Sequence, residues 1–503
     1  MKIKVKFMDI STEPTVLMNT VDAAKIGSKD NDRVAIDGKV TAVALLNVSD
    51  MLSEPGVAIV SSNLKEKLGI QDGDEASLSY SGSPESVRYV RKKMDNERLT
   101  SHEIAEVVND ILNYKLSKIE ISAWLTALHI NGMDIEEIAG FVQAMVDTGD
   151  RIEFDRKPVY DFHSLGGIPG NKITPIVVSI VAAAGLMLPK TSSRAISSAC
   201  GTSDFVETFC NVELDAKTLK EISEEVGGVL AWGGSMNLAP VDDMVIRIEH
   251  PLGINPRAQM LASIMSKKVA IGATHLVVDI PMGAGTKVPT LESARAYAND
   301  FMNLGEKLNM RIECAITYAD QPVGSAIGPR LEAIECIRVL EGERHPASVI
   351  EKACEISGMI LEMGGIGNGS AEAKRLLFSG EALKKFKEIV AAQGGSPDIK
   401  STDLSPGEHM VEIKSPKSGY VHTINNKDIV AIAKAAGAPG DKGAGLRLLK
   451  KKGQRVEEGE TLFQIYGDNK AKVERAKTLS TKYQPYEVEG MLIKKISSPR
   501  EIR

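Results

Sequence analysis

The chain of 503 residues is poor in cysteine, has no basic surplus and contains no long apolar run. Its five cysteines (Cys200, Cys210, Cys314, Cys336, Cys354) are odd in number and no two stand in CxxC spacing. That pattern fits neither a metal knuckle nor a redox pair and points to a reducing cytoplasm. No stretch approaches the ~20 apolar residues of a membrane span, and the opening MKIKVKFMDIST lacks the apolar core of a signal peptide. A soluble cytoplasmic protein with no membrane partner is expected. With 61 basic against 67 acidic residues the net charge is −6, an ordinary globular balance that gives no reason to expect nucleic acid as a partner.

Several catalytic signatures are missing too. There is no GxxxxGK[ST] and no GxGxxG with a distant acidic partner, which speaks against ATPase and dinucleotide chemistry. There is no H-E-x-x-H, G-x-S-x-G or EF-hand loop, so neither metal nor acyl-enzyme chemistry is expected.

What is present is a multidomain α/β pattern, since ~100–200 residues per domain suggests three or four units. Residues 1–83 are rich in Val and Ile and carry an internal repeat: Ile26-Gly27-x-x-Asp30-Asn31-Asp32 aligns with Leu68-Gly69-x-x-Asp72-Gly73-Asp74. Each copy reads as a short helix, a glycine that ends it, a turn and a strand. Two copies suggest a small pseudo-symmetric β-barrel of the double-psi kind; two hairpins with similar turns are the alternative. The stretch 79–86 reads as a linker.

Residues 87–158 read as a helical domain on which later helices pack. Thr100-x-x-Glu103 and Asp134-x-x-Glu137 have capping-box form ahead of apolar residues at helical spacing. Residues 159–395 alternate strands and helices, and an α/β domain with a central mixed sheet is expected. Its strand candidates are VYDFH, LMLPKT, GVLAWG, THLVVDI and RIECAITYA, with Thr174-Pro175 as an Ncap–N1 pair and Gly185 as a helix stop. After a polar link, 409–503 read as an α+β domain.

Three small-residue loops follow strands in the α/β part: HSLGGIPGNK (163–172), SSRAISSACGTSD (192–204) and PMGAGTK (281–287). In open α/β sheets ligands bind outside the carboxyl ends of the strands. Glycines there let backbone N–H groups approach oxygen atoms, and helix N-termini favour anions. The loops carry Ser164, Lys172, Ser193, Arg194, Ser197, Ser198, Thr202 and Lys287, so an anion site is expected, with tight strand–helix turns as the alternative. His163 is the one histidine in a glycine loop, either a ligand or a structural residue. In INPRAQMLASIMSKK (254–268), Asn255 and Pro256 look like Ncap and N1. Ser263 and Lys267 lie four apart on one helical face. Asp242 and Asp243 read as helix-start or surface residues.

The run KTSSRAISSACGTSDFVE resembles the signature of the thymidine/pyrimidine nucleoside phosphorylase family. DFHSLGGIPGN, LAPVDD, LASIMSKK and DQPVG match further blocks in the same order. The added β-rich N-terminal domain, GGIPGNK and the lysine of GAGTK resemble the archaeal branch that acts on nucleoside 5′-monophosphates. The resemblance implies phosphorolysis of an N-glycosidic bond, with AMP, CMP or UMP and inorganic phosphate as substrates, free base and ribose 1,5-bisphosphate as products, and no cofactor or metal. It also implies a homodimer or larger assembly built through the helical domain.

Carried over by position, Gly167, Ser193, Arg194, Ala195, Ile196, Ser197, Ser198, Thr202, Ser263 and Lys287 would contact the nucleotide. Ser164, with His163, Lys172 and Lys267, would serve the phosphates. Two departures stand out. Nucleoside phosphorylases have Lys where this chain has Phe162, and the branch's proton donor, the Asp of an I-D-P-R block, is here Asn255. An amide can donate a hydrogen bond but cannot deliver a proton.

Three rivals are weighed. A pyrimidine nucleoside phosphorylase would need no 5′-phosphate. The anthranilate phosphoribosyltransferase-like enzymes, sharing the helical and α/β domains, use magnesium and call for acidic residues near the glycine loops, which carry hydroxyls and cations here. A biotinyl or lipoyl carrier would need a lysine at a hairpin tip in a motif such as MKM or DKA, which KSGYVHTINNK lacks. The C-terminal module is therefore expected to pack near the active site or in an assembly interface.

Overall fold

Two copies of the helix–glycine–turn–strand unit close into a six-stranded barrel. In the computed structural model, which describes residues 1–10, 13–195 and 198–492, its elements are β1 (Lys2–Met8), β2 (Thr15–Met18), α1 (Thr20–Lys25), β3 (Arg33–Asp37), β4 (Thr41–Val48), β5 (Val57–Ser61), α2 (Lys65–Leu68) and β6 (Glu75–Ser81). Exchanging β1 with β4, β2 with β5 and β3 with β6 maps the barrel onto itself. The parallel pair β1–β5 becomes β4–β2, and the antiparallel pair β1–β6 becomes β4–β3.

The equivalence reaches single hydrogen bonds. Gly27 (φ 69°) and Gly69 (φ 62°) both take the left-handed conformation that ends a helix. Asp32 accepts from Lys29 N at 2.8 Å, and Asp74 from Gln71 N at 2.7 Å. Asp30 then ties its turn to Val48 N on β4 at 2.9 Å, as Asp72 does to Phe7 N on β1 at 2.6 Å. Alternating inward residues such as Val5, Val34, Ile36, Leu46 and Leu78 fill the barrel. The expected linker at 79–86 is shorter: Tyr80 pairs with Val34 inside β6, so only 82–85 connect the barrel to the next helix.

The same compact unit, Met1–Asp150 with Leu238–Ala270, contains α3 (Ser86–Met94), α4 (Ser101–Leu112), α5 (Lys118–Asn131) and α6 (Ile135–Asp147), together with α10 (Pro240–Leu252) and α11 (Arg257–Ala270). Capping boxes open α4 and α6 at Thr100 and Asp134, and a third, unforeseen, opens α5 at Ser117 with Glu120. Helix α10 packs on α4 and α5, and α11 on α5 and α6.

The second unit holds β7 (Tyr160–Ser164), α7 (Thr174–Ala183), β8 (Leu188–Ser192), α8 (Thr202–Val206), α9 (Ala216–Val226), β9 (Gly228–Trp232), β10 (His275–Met282), α12 (Leu291–Lys307), β11 (Arg311–Tyr318), β12 (Ala326–Ile327), α13 (Pro329–Leu340), α14 (Ala347–Met363), α15 (Gly369–Phe378) and α16 (Glu381–Ala392). All five strand candidates are strands. Their pairings, β11–β10–β7 and β8–β9, are all parallel, which corrects the expected mixed sheet. Long crossovers join these strands, and crossovers return the chain in the same direction. Tyr160 N donates to Met187 O at 3.0 Å where β7 runs beside β8. Helix α7 starts one residue earlier than expected, with Ile173 as its N-cap; Gly185 (φ 84°) follows its end.

The unit is completed by β13 (His409–Lys414), β14 (Gly419–Ile424), α17 (Asn426–Ala436), β15 (Gly445–Leu448), β16 (Arg455–Val456), β17 (Thr461–Gly467), α18 (Lys470–Tyr483) and β18 (Tyr486–Glu489). Strand β15 pairs with β12, so the C-terminal part shares a sheet with the α/β part. Among the described residues no helix is long and apolar enough to cross a membrane.

Candidate active site

The three small-residue loops leave the carboxyl ends of parallel strands β7, β8 and β10. In the first, Gly166, Gly167 and Gly170 have φ of 73°, 85° and 75°, conformations that cost a side-chain-bearing residue energy. A Cβ on Gly167 would stand 3.2 Å from Lys287 N, so the first loop lies directly on the third. Ser164 Oγ accepts from Asn171 Nδ2 at 3.1 Å and from Gly166 N at 3.4 Å, which leaves its own proton available to a ligand. His163 is half-buried on β7 opposite Val278.

Lys172 is not where a phosphate ligand would be. It is fully buried, its ammonium 2.6 Å from Glu335 Oε2 and 3.1 Å from Val323 O. Glu335 also accepts from Ser325 N at 3.0 Å. Lys172 therefore ties the first loop to segment 323–325 and is corrected from ligand to framework. Burial beneath this pair pushes Glu332 up to about 7, against the pull of Lys172. Burial, helped by Lys172, brings Lys451 down to about 7.

The second loop folds around Asp204, whose Oδ2 accepts from Ala195 N at 2.7 Å and Gly201 N at 2.8 Å. The loop is so tight that a Cβ on Gly201 would sit 2.6 Å from Ala195 N and Ser193 O. Arg194 is committed to carboxylates: it pairs with Glu207, with Glu213 at 3.0 Å and with Asp204 at 3.9 Å, and lies 4.7 Å over the Trp232 ring. Its guanidinium clamps the loop to these carboxylates. Ser193 is exposed, Ser198 Oγ donates to Cys200 O at 3.1 Å, and Thr202 is half-exposed as the first residue of α8. Ile196 and Ser197 lie outside the described residues.

The third loop is held by Asp320, which accepts from Ala284 N at 2.8 Å, and by Thr286 Oγ1 donating to Gly283 O at 2.8 Å. Lys287 is exposed at its end. The C-terminal part grips the segment behind it. Asn426 Nδ2 donates to Ala319 O at 2.9 Å, and Lys451 Nζ to Gly324 O at 2.8 Å. The module thus packs beside the loops.

In the other unit, Asp242 is the centre of the polar cluster. It is fully buried in the first turn of α10, not at the surface. Ser263 Oγ donates to its Oδ2 at 2.8 Å, Lys267 Nζ lies 2.7 Å from the same oxygen, and Gln259 Nε2 donates to Oδ1 at 3.2 Å. Burial opposes charge on Lys267, but Asp242 and Asp243 hold its pKa above the ordinary lysine value. Asp243 is shifted up by burial against the pull of Lys267. Asp242 at 2.7 Å and Asp243 at 3.9 Å partly offset the charge of Lys267. Helix α11 begins at Arg257 and Met260 N bonds to Pro256 O at 3.0 Å, so Pro256 stands where Asn255 was expected to cap. Asn255 is exposed, with Nδ2 3.8 Å from Met260 Sδ.

Sequence reasoning missed Asp204, Asp320 and Glu335; of its two readings of Asp242, helix start or surface, the helix start is where the residue stands, and its burial was not foreseen. Only Asp204 left a signal, the Gly201-x-x-Asp204 spacing of a capping box. Among the described residues no three of His, Cys, Asp and Glu gather as a metal would require.

Family models match three stretches: the glycosyl transferase family helical bundle domain at residues 87–149, the glycosyl transferase family a/b domain at 156–383, and the pyrimidine nucleoside phosphorylase C-terminal domain at 420–487. An AMP phosphorylase of Methanococcoides burtonii is 45% identical, covering 100% of both chains. That of Thermococcus kodakarensis is 46% identical over 99% of this chain and 100% of its own. Among solved structures, anthranilate phosphoribosyltransferase from Thermus thermophilus aligns with TM-score 0.52 and 20% identity over 61% of this chain and 99% of that one. The Saccharomyces cerevisiae enzyme gives 0.50 and 15% over 61% and 98%. These two likenesses show a shared fold.

Proposed function

The chain belongs to the AMP phosphorylase family, and we propose that it phosphorolyses nucleoside 5′-monophosphates, AMP foremost and CMP and UMP with it. The observation that carries this is the full-length likeness to proteins of that name, barrel included. The reaction turns AMP and phosphate into adenine and ribose 1,5-bisphosphate. Phosphate attacks C1′ while the bond to the base loosens, so catalysis needs an anion held in place and charge stabilised at the departing base. The loop geometry suits that need, because framework carboxylates fix backbone donors beside the ends of parallel strands.

The roles follow the residues. Ser164 would hold inorganic phosphate through its available proton, beside His163. Gly167, Ser193, Ala195, Ser198, Thr202, Lys287 and the backbone of Arg194 would hold AMP; family position assigns Ile196 and Ser197 to it as well. In the helical unit Ser263 would contact the nucleotide, and Asn255 would donate a hydrogen bond to the leaving base, with water or the substrate's own pKa covering the proton. The barrel is assigned to the double-psi class, the enzyme to the cytoplasm and to a homodimer or larger assembly.

The C-terminal match favours a second reading, a pyrimidine nucleoside phosphorylase. Base release should be measured from AMP, CMP, UMP, adenosine and uridine, with and without phosphate and magnesium. Phosphate-dependent, magnesium-independent release from the nucleotides alone is expected. Equal turnover of uridine would overturn the proposal in favour of the second reading.

A further inference from the structure

Resting on the reading above, we infer that Lys451 is a positioning residue for the reaction: from the C-terminal part it fixes segment 319–325, which sets the phosphate-holding first loop against the nucleotide-holding third. The segment reads ADQPVGS and contains the DQPVG block, to which the site described so far gives no role.

One set of its polar groups serves the loops. Ala319 N donates to Met282 O at 2.9 Å, and Asp320 accepts from Ala284 N at 2.8 Å, both in the third loop. Val323 N donates to Pro169 O at 3.1 Å and Val323 O accepts from Lys172 Nζ at 3.1 Å, both in the first. The contacts leave no room for side chains. A Cβ on Gly283 would stand 2.5 Å from Ala319 C, and one on Gly170 2.5 Å from Val323 O.

The C-terminal part takes up another set. Asn426 Nδ2 donates to Ala319 O at 2.9 Å, Lys452 N to Gln321 Oε1 at 3.0 Å and Leu448 N to Ser325 O at 2.7 Å. Lys451 Nζ donates twice, to Pro322 O at 2.5 Å and Gly324 O at 2.8 Å. Those carbonyls flank Val323, the residue tied to the first loop. Lys172 holds the middle carbonyl and Lys451 the two beside it, a use for the three donors of an ammonium group. Glu335, 2.6 Å from Lys172, offsets the charge of the pair.

Each loop also has ties of its own, Asn171 to Ser164 at 3.1 Å in the first and Thr286 to Gly283 at 2.8 Å in the third. Releasing the segment therefore leaves the donors within each loop in place and lets one loop move relative to the other. Binding of phosphate or of AMP depends on its own loop. Attack on C1′ depends on both, because the reacting atoms must be held in line and close together. No residue assigned to a substrate lies beyond Lys287, and the C-terminal part acts on the reaction through this segment instead.

The test is kcat, with KM for AMP and for phosphate, in wild type, Lys451→Met, Lys451→Arg and Asn426→Ala, each assayed well below its own Tm. Lys451→Met should lower kcat about tenfold or more, since a displacement of about 1 Å costs roughly 100-fold. Both KM values should stay within about threefold, the mark of an interaction that matters in the transition state. Lys451→Arg donates to the same carbonyls and should recover most of the lost kcat. Asn426→Ala frees the third-loop end of the segment and should lower kcat in the same way; it decides the matter if Lys451→Met does not fold. Unchanged kcat in both variants, a raised KM with kcat retained, or an arginine variant as slow as the methionine one would overturn the inference and leave the phosphorylase reading standing. A wild type that releases no base from AMP would remove both.

Discussion

The glycine loops of the α/β unit and the helix pair α10–α11 of the other unit hold polar groups ready in opposite ways. In the loops most charged side chains are engaged by the protein itself, Lys172 by Glu335, Arg194 by Glu207, and Asp204 and Asp320 by backbone N–H groups, while Lys287 is exposed. In the helix pair the backbone is committed to the helices. Asp242 is the inward group there, and the side chains of Ser263 and Lys267 are presented. Charge in a small-residue loop is thus no evidence by itself of a charged ligand contact, because ion pairs can serve to hold such a loop in one conformation.

The largest test of that contrast is Lys172→Met. If Lys172 is framework, removing one partner of a buried pair should cost about 3–5 kcal/mol of stability, read by denaturant unfolding, with KM for phosphate changed less than about twofold. A large rise in KM at unchanged stability would restore Lys172 as a ligand and break the contrast.

Next comes the backbone itself. Gly201→Val places a side chain where Ala195 N and Ser193 O already sit. A displacement of about 1 Å in a binding loop costs roughly 100-fold, so kcat/KM for AMP should fall by that much or more with the fold retained by circular dichroism. Unchanged kinetics would show that the loop's shape does not matter. Asn255→Ala tests the side-chain region: losing one hydrogen bond to the leaving base should lower kcat for AMP about tenfold, and an unaltered kcat would remove Asn255 from the reaction.

A pH-dependent effect lies beneath the loops. The Glu332 pKa is lifted to about 7 from an ordinary 4.5, so the folded protein holds this proton more tightly than the unfolded chain. Its contribution is complete below about pH 4.5 and is lost as pH rises through about 7. Glu332→Gln, a permanently neutral stand-in, should therefore gain stability relative to wild type between pH 5 and pH 8. A Tm difference independent of pH would contradict the assignment.

Much of the fold was legible because local rules decide it. The barrel repeat shows in Gly27 and Gly69, whose left-handed conformation a turn requires, and the α/β strands show as short apolar runs bounded by breakers. The loops' place at the strand ends follows from strand–loop–helix order. What escaped depends on distant partners. Glu335, which buries Lys172, lies 163 residues away. Asp242 reads as a helix-start or surface residue, and its burial depends on α11, whose Ser263 lies 21 residues on. The mixed sheet was an error of direction, since apolar runs do not say which way a strand points.

The central claim is phosphorolysis of a nucleotide that keeps its 5′-phosphate, and phosphorus NMR of the protein with AMP and inorganic phosphate tests it most directly. The account predicts that inorganic phosphate disappears one for one with free adenine released, while a second phosphate ester forms at C1 of a ribose still phosphorylated at C5. Adenine released at the same rate without phosphate, or a 5′-phosphate lost before the base, would contradict it.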